Sequence, residues 1–209
     1  MKKLFFGTIT LIFIGVLAFF FYPQLYFSTG FGQKIMMKVM GEQTATFEFK
    51  SSSKDSLYMS GVIYANTLDD LKEVLDQNPE VKTLVMMEVP GSIDDHVNLL
   101  ASREIRKRNI NTFIPKGGMV ASGGTDMFLA GTKRNADSTA EIGVHSWSDG
   151  EKEGIEYPRE DEVHKMYLEY YKEMEIPTEF YWYTLEAAAA DSIHNMTQEE
   201  IQKYKILNK

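Results

Sequence analysis

Residues 116 to 131 read KGGMVASGGTDMFLAG and hold one small hydroxyl, Ser122, just ahead of a short apolar helical stretch. A serine at the start of a helix is placed to act as a nucleophile. The positive end of the helix lowers the cost of negative charge beside it, and the amide of Gly123 can stabilise an oxyanion. Serine needs a neighbouring base at neutral pH, and histidine is the usual one. His145 supplies a candidate base at the end of IGVHSW. Upstream, VPGS (89–92) is a Pro-Gly turn in which Gly91 can turn amide N–H groups into a cleft. For a third group to orient the imidazole, AAAADSIHNMT offers Asp191. Each feature also has a structural reading, a tight turn or a packed histidine, and singly that reading is the commoner one. Chemistry gains only from their joint placement.

The surrounding elements supply that placement. SLYMSGVIYA is rich in β-branched and aromatic residues and reads as a strand. TLDDLKEVLDQNP predicts a helix capped by Thr67, with Leu68, Leu71 and Leu75 on one face. VKTLVMMEV suits a buried parallel strand. IDDHVNLLASREIRKRN returns to helical period, INTFIP is a strand, GGTDMFLAG a short buried helix, and RNADSTAEIGVH a turn with another strand. Such β-α alternation predicts an α/β domain with a largely parallel sheet. Ligands in these folds collect at the carboxyl ends of strands, where VPGS, Ser122 and His145 all fall. Beyond His145, EDEVHKMYLEYYKEM puts Val163, Tyr167, Tyr170, Tyr171 and Met174 at helical spacing, and Thr197 with Glu200 forms a capping pair.

The N-terminus carries the compartment signal. Lys2 and Lys3 precede an uncharged apolar run from Leu4 to Tyr22, closed by Pro23. At about 1.5 Å per residue, about 19 residues span a bilayer core. The run ends in AFFFYPQLYF, which has no small-x-small cleavage site, so it predicts an uncleaved signal anchor over 1–23. A connector over 24–54 and a folded domain over 55–209 follow. The lysines remain cytoplasmic, which places the domain outside the cytoplasm. The net charge of −8 and the absence of a basic stripe argue against nucleic-acid binding. There are no cysteines, which excludes disulfides and thiolate chemistry. No Walker-type loop is present, and no cofactor or metal is expected. Metal ligation by Asp94, Asp95 and His96, or by His164 and His194, competes with the commoner solvated helix face.

From LYMSGVIYANTLDDLKEVL to MTQEEIQKYKIL, the order of motifs resembles the ClpP/crotonase superfamily, and within it the small periplasmic ClpP-like proteins. VPGS matches the family's Pro-Gly-Gly turn and GMVASGG its nucleophile elbow. FLAGTKRNADSTAEIGVHSW matches the helix, Ala-Gly turn and strand that end in the catalytic histidine. The resemblance implies Ser122 as nucleophile, His145 as base and Asp191 as the acid. It further implies oxyanion donors at Gly123 and in the turn holding Gly91 and Ser92. Ser92 departs from the family's second glycine, and a positive φ there would strain it. The tyrosine segment occupies the place of the family's handle helix, which joins subunits, so the stripe packs either on a second copy or on its own domain. The leading expectation is a membrane-anchored serine peptidase acting on peptide or protein substrates. A catalytically inactive scaffold that binds peptides or envelope proteins is the alternative. A crotonase-type thioester enzyme is disfavoured by the export signal, because coenzyme A is cytoplasmic.

Overall fold

The computed structural model describes residues 44–50 and 54–208. The apolar run and the connector up to residue 43 lie outside them, and with them the expected anchor. Among the described residues, no helix is long and apolar enough to cross a membrane.

The sheet begins inside the stretch read as connector. Strand β1 (Thr46–Phe49) pairs antiparallel with β2 (Ser56–Ser60). There follow α1 (Thr67–Gln77), β3 (Thr83–Val89), α2 (Asp95–Lys107), β4 (Asn111–Ile114), β5 (Met119–Ala121) and α3 (Gly123–Leu129). Next come β6 (Arg134–Ala136), β7 (Glu141–Val144), α4 (Lys165–Glu173), α5 (Thr178–Ala187), β8 (His194–Asn195) and α6 (Gln198–Lys203). The α/β alternation expected from the sequence is present. Five elements were not anticipated: β1, the three-residue β5 and β6, the two-residue β8, and α5. A three-residue strand shows too little period to register, and α5 is apolar almost all round.

The sheet forks at β3. The first half of that strand, Thr83 to Val85, pairs in parallel with β4, which continues to β6. Its last residues, Glu88 and Val89, pair instead with β5, which continues to β7. Only β1 and β8 run antiparallel to their neighbours. The β5–β7 branch carries the candidate chemistry, because Ala121 lies opposite Gly143 in that pairing. The next residues in register are Ser122 and Val144, with His145 one step further. The Ser122 amide donates to the Gly143 carbonyl at 3.1 Å, carrying the ladder one bond past the strand.

Local chemistry explains the helix ends. In α1, Leu71 and Leu75 are buried as the spacing predicts. Thr67, however, is the first helical residue rather than the cap, and its Oγ1 accepts from the Tyr64 amide at 2.8 Å. The Thr197–Glu200 capping box at α6 is formed as expected. The tyrosine stripe of α4 turns inward, with Tyr167, Tyr170, Tyr171 and Met174 all in the core while Val163 is exposed. Of the two places open to that stripe, the structure chooses the domain's own interior.

Candidate active site

Ser122 sits where β5 ends and α3 begins, with no loop between. Its backbone has φ 52 and ψ −130, a region that side chains rarely occupy. Holding a non-glycine residue there costs about 1–3 kcal/mol, and such cost persists only where the surroundings over-determine it. The surroundings are visible. Thr125 donates through Oγ1 to the Gly143 carbonyl at 2.7 Å, and its amide donates to the Ser122 carbonyl at 2.8 Å. Asn98 of α2 donates to the Gly123 carbonyl at 3.0 Å. A side chain at Gly123 would lie 2.1 Å from Ser92 Oγ, and one at Gly124 would lie 2.1 Å from the Val89 carbonyl oxygen. Glycine at these two positions lets the helix start press against the end of β3.

The VPGS turn lies directly against the serine. A Cβ on Gly91 would stand 3.2 Å from Ser122 Cβ. Ser92 is not among the positive-φ residues, so replacing the family's second glycine introduces no backbone strain. Among the described residues, neither the Gly91 nor the Ser92 amide donates to a backbone carbonyl. Gly123, at the first position of α3, likewise has no acceptor within its helix. Ser92 Oγ is itself engaged, donating to the Asp95 carboxylate.

His145 and Ser122 line the same cleft. No hydrogen bond joins them, and the buried Nδ1 of His145 has no partner. Burial lowers the pKa of the imidazole, and the Ala190 backbone carbonyl and the charge of Asp95 act in the opposite sense. The structure does not bring Asp191 to this cleft. Asp191 is exposed, and the cleft wall does not include it. Its neighbour Ala190 places a backbone carbonyl beside the imidazole instead.

Sequence reasoning missed most of the other walls. Asp95 and Asp126 both face the cleft, alongside Trp147, Tyr167, Tyr171 and Tyr181. Tyr167 donates to Asp95 at 2.5 Å, and Tyr171 donates to Asp126. Burial, with the nearby Asp95 charge, pushes the Asp126 carboxyl up to about 7. The signal for Asp126 was present, since it lies one helical turn beyond Ser122 on α3. Tyr181 comes from the unanticipated α5, and only packing reveals it. The histidines considered as ligands have other roles: His164 is fully buried with Nδ1 2.6 Å from the Tyr181 hydroxyl, and His194 pairs with Glu200 at 3.0 Å. Asp94 caps α2 by accepting from the Val97 amide.

No protein-family model matches the chain, and no curated protein matches it. Among solved structures, a membrane-bound stomatin-specific protease in complex with a substrate peptide is 17% identical, with a TM-score of 0.47 over 75% of each chain. A second structure of that protease gives 17% identity and a TM-score of 0.46, over 72% of this chain and 77% of the other. An enoyl-CoA hydratase from Bacillus anthracis gives 13% identity and a TM-score of 0.38, over 48% of this chain and 50% of its own.

Proposed function

We propose that the chain is a serine hydrolase that cleaves peptide bonds, anchored by its N-terminal apolar run with the domain outside the cytoplasm. The observation that carries the reading is the backbone of Ser122. A strained serine at a strand-to-helix junction shares a cleft with an imidazole whose Nδ1 is unpartnered. Strain of this kind is maintained where a side chain must be presented. The anchor part rests on the Leu4–Tyr22 run alone.

In this mechanism Ser122 Oγ attacks the carbonyl carbon while the His145 imidazole takes its proton. The carbonyl electron pair moves onto oxygen, which the Gly123 amide and an amide of the Gly91–Ser92 turn receive. Collapse re-forms the carbonyl and expels the amine, which takes the proton from the imidazolium. Water, deprotonated by the same imidazole, then attacks the acyl carbon; the bond to Ser122 Oγ breaks, Oγ takes the proton back from the imidazolium, and the acid leaves. A lowered pKa keeps His145 neutral, and so able to accept a proton, at pH 7. The Ala190 carbonyl and the charge of Asp95 favour the imidazolium once the proton has been taken up. Ser122 and His145 have to close on one another when substrate binds, as catalytic hydrogen bonds often tighten only in the complex.

The exposed Asp191 and the missing Ser122–His145 hydrogen bond favour a second reading, a peptide-binding scaffold without hydrolysis. A fluorophosphonate probe separates the two. The full chain in detergent should be labelled once per molecule, and Ser122→Ala should abolish the label. Labelling that survives this change, or no labelling of the folded wild type, removes the hydrolase reading.

A further inference from the structure

The cleft beside Ser122 holds an electrostatic imbalance. Asp95 and Asp126 both face it, and among the described residues no lysine or arginine lines it. Among the described residues, neither carboxylate takes part in an ion pair. Hydroxyls fill much of their hydrogen-bonding capacity: Ser92 and Tyr167 on the two oxygens of Asp95, and Tyr171 on Asp126. Neutral donors satisfy lone pairs without cancelling charge. Two carboxylates in a confined, partly dehydrated site therefore leave a negative field that a cation relieves far better than a neutral group.

The wall next to these carboxylates is aromatic and rigid. Tyr167 stacks against both Trp147 and Tyr181, with centroids 5.8 Å and 5.3 Å away and planes tilted by 15° and 13°. Trp147 donates to the Tyr181 hydroxyl at 2.9 Å, which locks the stack. Such a wall suits the methylene stem of a long side chain whose charged end reaches the carboxylates. A neutral apolar side chain would find the same wall but would bury Asp95 and Asp126 without compensation.

We propose that this cleft is the specificity pocket of the hydrolase and that it takes a cationic side chain, lysine or arginine, from the residue on the acyl side of the scissile bond. Asp126, one turn along α3 from the nucleophile, and Asp95, at the start of α2, are the specificity-determining residues. The orientation relative to Ser122 rests on the hydrolase reading; the recognition of a cation does not.

Two measurements keep the two ideas apart. In the first, the full chain in detergent is treated at pH 8 with two peptidyl diphenyl phosphonates, one bearing a lysine side chain and the other norleucine. Labelling should be at least about tenfold faster with lysine, a preference that enclosed carboxylates can supply. It should persist at about 0.5 M NaCl, because an enclosed pair is screened less than surface charge. In the second, Ser122→Ala is titrated calorimetrically with a lysine-containing hexapeptide and its norleucine counterpart, and the lysine peptide should bind more tightly. Asp126→Asn should reduce the preference in both assays, whereas a preference set by overall charge would survive it. Labelling that is equal or faster with norleucine overturns the pocket while leaving the hydrolase intact. Absent labelling with retained lysine preference in binding supports the pocket and removes the hydrolase. Equal binding of the two peptides overturns the pocket.

Discussion

At the scale of single residues, Asp126 is where function and stability pull apart. Its carboxyl pKa, about 7 against an ordinary 3.8, means the folded state keeps a proton that the unfolded chain has already released. Between those values the native state binds more protons, so stability falls as pH rises, and the whole penalty is present above pH 7. A shift of that size corresponds to about 4 kcal/mol at most. Asp126→Asn can still accept from Tyr171, and it removes the buried charge. It should therefore stabilise the protein by about 2–4 kcal/mol at pH 8 and by less than half of that near pH 5, measured by urea unfolding at the two pH values. Equal effects at both pH values would show that the carboxyl is not held protonated by its surroundings. The same change should weaken the lysine preference, so greater stability and poorer recognition are expected together.

At the scale of elements, the junction of β5 and α3 depends on close approach rather than on polar contacts alone. Gly124 lets α3 lie against the Val89 carbonyl, and backbone cannot move aside as a flexible side chain can. Gly124→Ala should cost at least about 2 kcal/mol, as overpacking does, and should reduce fluorophosphonate labelling by displacing Ser122. Thermal unfolding and labelling rate, measured on one preparation, check both halves. The elements here were unevenly legible. Leu71 and Leu75 disclosed α1 because their spacing is set by a face that must be buried, and GMVASGG with VPGS disclosed the site because glycines mark close approach. Helix α5 was hidden by its own burial, since Phe180, Tyr181 and Leu185 leave no contrast of faces to detect. Asp191 looked suited to the imidazole because it is the right residue type near the right place. The chain turns so that the Ala190 carbonyl, not that carboxylate, lies beside the ring.

At the scale of the whole domain, the C-terminal segment ties the two branches of the fork together. Strand β8 pairs with β7 on one branch, while the residues after α6 return to β6 on the other. Arg134 of β6 makes that return possible. Only 3% exposed, it donates to the Ile206 carbonyl at 2.7 Å and the Lys205 carbonyl at 3.1 Å. Among the described residues no carboxylate pairs with it, and burial lowers its pKa to about 10. Arg134→Met removes a buried charge but leaves those carbonyls without a donor. It should destabilise the domain by about 1–3 kcal/mol and expose the last residues to protease, read by urea unfolding and limited proteolysis. The amino-acid sequence by itself determined the α/β class, the order of the longer elements other than α5, the apolar N-terminal run and the candidate pair Ser122 and His145. Those follow from local patterns: periodicity, turn residues and the length of an uncharged run. Only the tertiary structure decided that the two residues share a cleft, that Asp191 stays outside it, and that Asp95 and Asp126 face it without a cation. Charge balance inside a cavity depends on which distant segments meet there, and α2, α3, α4 and α5 meet only when the chain folds.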